Sequence, residues 1–359
     1  MKIGIFHWNF DSIIGIGGGE VLIDNVGKAL ESPIYTYVRN KNNKLNFINI
    51  SNKIPFSARI FNKYRILDYL SWSSVNPEDF GDFDVILTSG MTTRAMIVPE
   101  NVPHVNLCFS PPRWLYDLWH RRRNGLSFGN NLVVPFGEAI RIWDQAVDNR
   151  VDYYISISEV VKRRLWHYLK RESDIIYPPV DVSKYQCKDS EGYYLFMSRL
   201  EPDKRPEEAI EACINTNEKL IVAGTGSIEK QLISKYKNNK NITFTGYVSE
   251  EEKISLLSHC EALIFPSIAE DFGIVPIEAL ASGKPVICSN DGFTPLLIKN
   301  KYGVITNGKR EEISIAIKYR PEFKPQDLIN CAQQFDFSIF KKNINKQIDL
   351  YYKDFNNKF

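Results

Sequence analysis

The sequence predicts an α/β protein made of two parallel-sheet domains, and three observations carry that prediction. Short apolar runs alternate with amphipathic stretches from end to end, the pattern left by repeated strand-helix units. The 359 residues exceed what one hydrophobic core usually serves. Midway, the paired prolines of Ile176-Tyr-Pro-Pro-Val-Asp181 exclude helix and force extended backbone, which places a domain boundary there.

The strands follow in order. Ile3 to Trp8, Val85 to Thr88, His104 to Cys108 and Tyr153 to Ile157 are apolar runs of the length and type that parallel sheets bury on both faces. Tyr194 to Met197, Lys219 to Ala223, Ala262 to Phe265 and Val286 to Cys288 repeat the pattern beyond the prolines. Met1 to Phe10 carries His7, Trp8 and Asn9 after its apolar run, so it reads as a first strand and not a secretory leader. From Phe335 to Phe359, the residues Phe337, Phe340, Ile344, Ile348, Tyr351 and Tyr352 recur at helical spacing and predict a terminal helix with one buried face. The Asn40 to Asn46 and Tyr236 to Asn241 patches read as solvated loops.

Composition excludes several classes. Apolar residues make up 43%, aromatics 13%, and the net charge is +2, which argues against disorder and against nucleic acid as a partner. The longest apolar runs fall far short of the ~20 residues that span a bilayer, and a cytoplasmic protein is expected. Cys108, Cys187, Cys213, Cys260, Cys288 and Cys331 are scattered without C-x-x-C spacing and read as reduced core thiols.

The densest chemistry lies between Pro266 and Ser289, a strand end, an acidic loop with Glu270 and Gly273, a short helix and a new strand. Pro276 lacks an N–H and suits a first helical turn, which leaves the amides of Gly273, Ile274 and Val275 free to face an anion. Glu270 falls in the loop, and Glu278 is expected in the first helical turn. Carboxylates accept hydrogen bonds from paired hydroxyls, so the two glutamates suit a sugar and a ribose with a diphosphate between them. A plain strand-loop-helix unit with a surface glutamate pair is the alternative. Upstream, Arg199 and Lys204 stand five residues apart where the strand Tyr194 to Met197 runs into a polar loop before a helix, an arrangement suited to a diphosphate. Gly224-Thr225-Gly226 ends another strand, where glycine lets backbone approach a ligand closely. Gly15-Ile-Gly-Gly-Gly-Glu20 follows the first strand and opens a helix, so its amides, Gly18 and Gly19 included, also suit an anion. A dinucleotide fold would want an acid about twenty residues on at the end of a second strand, yet Glu31 precedes Ser32-Pro33 and the strand.

The stretch Glu270 to Pro285 resembles the E-x-x-x-x-x-x-x-E signature of retaining glycosyltransferases of family 4, with Phe272, Gly273, Glu278, Ala279, Gly283 and Pro285 in matching places. The resemblance implies the GT-B architecture, an α/β fold of two Rossmann-like domains with parallel sheets facing across a cleft. Residues 1–178 would bind the acceptor and residues 179–335 the nucleotide-sugar donor, while residues 336–359 would form a helix returning to the first domain. It further implies that Arg199 and Lys204 neutralise the leaving nucleoside diphosphate, that Glu270 orients the sugar, and that Glu278 holds the ribose. Tyr247 and Val248 match the family's base contacts, and Gly18 and Gly19 would close over the donor phosphate or the acceptor. Val105 to Asp117 is similar to a strand-loop with His-Thr-Pro-x-Arg found in mannosyltransferases of surface-polysaccharide and lipid-linked oligosaccharide pathways. That similarity makes Arg113 an acceptor or diphosphate contact, with Phe109 where those relatives usually carry His. A retaining transferase can do without that base, because the departing phosphate oxygen can take the acceptor proton, as is proposed for the family. His104, inside the strand, reads as a core residue.

Two further features bear on partners. From Arg113 to Arg171 there are eleven Lys/Arg against six Asp/Glu, including Arg121-Arg-Arg123 among Trp114, Tyr116, Trp119 and Phe128, and a basic helix from Val160 to Arg171. Such a surface suits the anionic inner face of a membrane, or a solvated face over an aromatic core. Asp82-Phe-Asp84 matches a metal-holding D-x-D pattern but precedes the strand Val85 to Thr88 and reads as the start of that strand. No metal and no cofactor are expected, since two cations and a helix N-terminus suffice for a diphosphate. The function expected is transfer of a hexose from a nucleoside-diphosphate sugar, GDP-mannose by resemblance and glucose next, to a glycan or polyprenyl-linked glycan. The rivals are a sugar-nucleotide epimerase of the same fold and a non-catalytic sugar-nucleotide-binding scaffold.

Overall fold

The computed structural model describes residues 1–10, 18–38, 47–53, 68–119, 133–319 and 321–358. Gly15 to Gly17, the Asn40 to Asn46 patch, Arg121-Arg-Arg123 and Phe128 lie outside the described residues. The chain divides into two compact units, residues 1–178 with 340–359 and residues 179–339.

The first unit carries a seven-stranded sheet of β1 (Ile3–Phe10), β2 (Ile34–Val38), β3 (Phe47–Asn49), β4 (Val85–Ser89), β5 (His104–Cys108), β6 (Tyr153–Ser156) and β7 (Asp174–Ile175). Their order is β3-β2-β1-β4-β5-β6-β7, and every pairing is parallel. Every residue of β4 and β5 is buried, which is why these strands read as unbroken apolar runs. The helix Gly18–Leu30 follows β1 and buries Leu22, Ile23, Val26, Ala29 and Leu30, one stripe at helical spacing. A side chain at Gly27 would come within 2.8 Å of Ile34 Cδ1 on β2, so glycine there lets helix and strand close up. Asp84 accepts a 2.6 Å hydrogen bond from the Lys2 amide and fixes the starts of β4 and β1.

The second unit repeats the plan with six strands, β8 (Tyr194–Met197), β9 (Leu220–Ala223), β10 (Ile242–Gly246), β11 (Leu263–Phe265), β12 (Val286–Ser289) and β13 (Gly303–Thr306). The order is β10-β9-β8-β11-β12-β13, again all parallel. In both sheets the strand order reverses beside the first strand, between β1 and β4 and between β8 and β11. Such a reversal leaves a crevice at the carboxyl ends of the strands, where doubly wound sheets bind ligands. Strands β3, β7 and β13 escape the apolar-run signal because they sit at sheet edges and are short or only partly buried.

The last helix, Phe337–Asn356, buries Phe340, Ile344, Ile348, Tyr351 and Phe355, a stripe like the one its spacing implied. Tyr351 donates to Asp174 at 2.7 Å and stacks on Tyr153 with ring centroids 4.4 Å apart. Five cysteines are buried and free, whereas Cys187 is free and exposed, which corrects the core reading for that residue. No helix among the described residues is long and apolar enough to cross a membrane.

Sequence reading missed the charged centre of the first unit. Arg94 is 3% exposed, pairs with Asp144, and donates to Asp148 at 2.8 Å. Tyr69 donates to Asp144 at 2.5 Å and Tyr116 at 2.9 Å, while Tyr154 donates to Asp148. Replacing Arg94 with alanine would leave two buried carboxylates without their cation, so a loss of about 3–5 kcal/mol is expected in urea unfolding.

His7 and His104 are buried and neutral. Burial depresses the His7 pKa to about 3, and burial likewise pulls His104 down to about 4 against the hydrogen bond to the Arg150 carbonyl. Their folded pKa values lie below the unfolded one, so the unfolded chain binds more protons as pH falls below about 6.5 and stability drops toward pH 4. Urea midpoints should therefore fall across that window, and less steeply in His7→Asn. Equal slopes would show that His7 does not resist protonation.

Candidate functional site

The residues singled out in the second unit gather at the carboxyl ends of β8 and β11, the reversal point of its sheet. Arg199 lies just past β8 and is exposed. Lys204 ends a 3-10 turn, Pro202–Lys204, and is 9% exposed. Its ammonium reaches the Glu270 carboxylate in the loop after β11 at 2.5 Å. Backbone ties the same loops together, since the Ile268 amide donates to the Asp203 carbonyl at 3.0 Å. The two groups that the sequence assigned to a diphosphate and a sugar therefore hold each other.

Gly273 caps the helix Ile274–Ala281 with φ of 81°, a conformation natural to glycine, and supplies no side-chain cap. The helix thus begins on a residue that offers its first-turn amides no side-chain cap, an arrangement suited to anions. Glu278 is the fifth residue of this helix, not in its first turn as expected, because the helix starts two residues before Pro276. It is 5% exposed, and one carboxylate oxygen accepts from Tyr185 and from Lys253, each at 2.7 Å. Burial followed by the Glu278 carboxylate pushes the Tyr185 pKa up. Burial opposes the Lys253 charge, but the Glu278 carboxylate, joined by that of Glu250, outweighs it and raises the Lys253 pKa. Neither Tyr185 nor Lys253 was legible, since a lone Tyr and a helix Lys carry no spacing signal.

The loop after β12 was also missed. The Phe293 amide donates to the Glu270 carbonyl at 3.1 Å, and Phe293 stacks on Phe272 with centroids 5.0 Å apart. A side chain at Gly292 would meet the Glu270 carbonyl oxygen at 2.6 Å, so glycine is required for this loop to lie against Glu270.

A Cβ on Gly224 would lie 2.0 Å from the Ser198 carbonyl oxygen, with φ at 129°, so its smallness admits the backbone that leads to Arg199. Thr225 is exposed, and its carbonyl accepts from the Leu200 amide at 2.9 Å. Tyr247 follows β10 and is 83% exposed, with Val248 half-buried beside it.

In the first unit, Gly18 and Gly19 open the helix after β1, and a Cβ on Gly19 would meet the Phe109 ring at 3.4 Å. His7 within β1 hydrogen-bonds Ser89 at 2.7 Å, its ring 6.2 Å from that of Phe109. His104 is held between Thr88 Oγ1 and the Arg150 carbonyl, both at 2.9 Å, a core role. Arg113 is clasped by Asp117 one helical turn on, at 2.5 and 2.9 Å. The basic helix runs Glu159–Leu169 and exposes Trp166, with Lys170 4.4 Å over its ring. Among the described residues, no group of three or more His, Cys, Asp or Glu could hold a metal ion.

Alanine at Gly224 would force a Cβ into the Ser198 carbonyl and strain φ, and a loss of at least about 2 kcal/mol is expected in urea unfolding. An unchanged midpoint would mean that the β8 and β9 loops do not pack this closely.

Comparison with known proteins places these loops in context. Residues 181–319 match the family model described as glycosyl transferases group 1. An uncharacterized glycosyltransferase of Methanocaldococcus jannaschii is 32% identical over 182 residues, 47% of this chain and 51% of that protein. An alpha-1,3/1,6-mannosyltransferase of Saccharomyces cerevisiae is 30% identical over 176 residues, 35% of each chain. The chain thus spans about half or less of the length of these curated relatives. The solved sucrose-phosphate synthase of Thermosynechococcus elongatus superposes with a TM-score of 0.76 at 14% identity, over 99% of this chain and 100% of that one. The fold is therefore GT-B, two Rossmann-like parallel-sheet units, and the second unit is related to glycosyl transferases of group 1.

Proposed function

We propose that the protein is a retaining glycosyltransferase that moves a hexose from a nucleoside-diphosphate sugar to a glycan or polyprenyl-linked glycan. The observation that carries this reading is the Lys204–Glu270 pair beside the helix that begins at Gly273, a cation, a carboxylate and first-turn amides at one sheet reversal. Arg199, Lys204 and the amides of Gly273, Ile274 and Val275 bind the diphosphate and stabilise its charge as it leaves. Glu270 turns to the hexose hydroxyls and Glu278, steadied by Tyr185 and Lys253, to the ribose. Thr225, Tyr247 and Val248 border the nucleoside. The first unit binds the acceptor, with Gly18, Gly19 and Arg113 near it, and Phe109 leaves proton removal to the departing phosphate oxygen.

Mannose as the hexose is supported by the mannosyltransferase named among the relatives, and GDP as its carrier rests on the family resemblance alone. A place on the inner face of a membrane is supported by the basic helix Glu159–Leu169 with its exposed Trp166.

Thermal unfolding with GDP-mannose, UDP-glucose, UDP-N-acetylglucosamine and ADP-glucose tests the reading. A donor at a hundredfold its Kd should stabilise by ~2.7 kcal/mol, and that shift should vanish in Arg199→Ala. Transfer in that variant should drop on the order of a hundred- to a thousandfold. Absence of any shift with the wild type would sink the proposal, and binding without transfer to any acceptor would favour a scaffold.

A further inference from the structure

Thr294 lies outside every motif discussed, at the start of the short helix Thr294–Ile298 in the loop after β12. It is 2% exposed, and its hydroxyl has no hydrogen-bond partner among the described residues. A buried hydroxyl left unpaired is destabilising and uncommon in folded proteins. Its surroundings suggest what completes it. Thr294 Oγ1 lies 3.3 Å from the point where a Cβ on Gly273 would stand, and the Glu270 Cγ borders the same point at 3.3 Å. The hydroxyl thus packs against Gly273, between the side chain of Glu270 and the start of the helix Ile274–Ala281. The loop is held in that position by the Phe293 amide on the Glu270 carbonyl and by the Phe272–Phe293 stack.

We infer that Thr294 is a substrate-binding residue whose hydroxyl donates to the diphosphate of the nucleotide donor, at the phosphate oxygens received by the Gly273 helix amides. This inference rests on the donor-site reading above and adds to it a side-chain donor from a third loop. The hydroxyl has no partner among the described residues, and the diphosphate supplies its acceptor. Glycine at position 273 lets Glu270 and the Thr294 hydroxyl lie close to the start of that helix, because a Cβ there would crowd both and would also strain a φ of 81°.

The test separates function from packing by the sign of two effects. Thr294→Val keeps the shape and removes an unpaired hydroxyl, so the melting temperature of the free protein should hold or rise. Binding of UDP, GDP or ADP, whichever the wild type takes up in calorimetric titration, should weaken about tenfold or more, as for loss of a hydrogen bond to a charged group. Thr294→Ser retains the hydroxyl and should bind within about twofold of wild type, well under the tenfold that marks a lost interaction. Binding of the corresponding nucleoside, which has no phosphate, should be the same in all three proteins. Equal diphosphate affinity in wild type and Thr294→Val would overturn the inference while leaving the donor site standing. Equal weakening for nucleoside and diphosphate would also overturn it, because the defect would then be structural. If Thr294→Val fails to fold, Thr294→Ala is judged by the same diphosphate-to-nucleoside comparison. A wild type that binds none of the three diphosphates would remove the donor-site reading itself, and this inference with it.

Discussion

The ion pair between Lys204 and Glu270 is the contact on which the candidate site depends. It joins the loop after β8 to the loop after β11, the two strands that flank the reversal of the second sheet. Both side chains are mostly withdrawn from water, at 11% and 20% exposure, so neither charge would be tolerated there alone. The pair therefore keeps a ready cation and a ready carboxylate at the mouth of the crevice without an uncompensated charge. On the proposed reading, donor binding is an exchange of partners, with phosphate replacing carboxylate on Lys204 and sugar hydroxyls replacing ammonium on Glu270. Such an exchange favours a ligand that brings both groups over a bare diphosphate, which would bring its negative charge beside a released Glu270.

Close backbone approach makes that arrangement possible. Gly224 admits the Ser198 carbonyl and Gly292 admits the backbone of Glu270. Loops from β8, β9, β11 and β12 thereby lie against one another before any ligand is present. The cost of ordering them is met during folding, the general advantage of preorganised sites. Glu278 follows the same logic at the helix, since Tyr185 and Lys253 fix its carboxylate from two sides.

The α/β class and two parallel sheets were legible because parallel strands are buried on both faces and leave apolar runs that need no partner to be recognised. Edge strands such as β7, two residues long and partly exposed, leave no such trace. In the site, Glu270, Gly273 and Lys204 could be named because strand-loop-helix order alone brings them to one end of a sheet. Tyr185, Lys253 and Thr294 could not, since their relevance arises from packing between segments far apart in sequence. Arg94 with Asp144 and Asp148 shows the same limit, as 50 residues separate the cation from its first carboxylate. Helix Ile274–Ala281 starts earlier than the proline suggested because glycine at 273 can take the left-handed turn that begins it.

Glycine and threonine around position 273 carry the physical argument one step further. A folded chain ordinarily pairs its buried polar atoms, and Lys204, Glu270 and Glu278 all do so internally. Thr294, packed against Gly273, has no partner among the described residues. On the proposed reading the site combines two strategies: charges that neutralise each other and are released to a ligand, and a neutral hydroxyl whose desolvation is tolerable without a partner. A hydroxyl can bear that state where an ion cannot, because leaving it unpaired costs about 1–3 kcal/mol whereas an unpaired buried ion costs far more. Paired charges beside a neutral donor without a partner among the described residues are what the proposed anion site would be expected to contain.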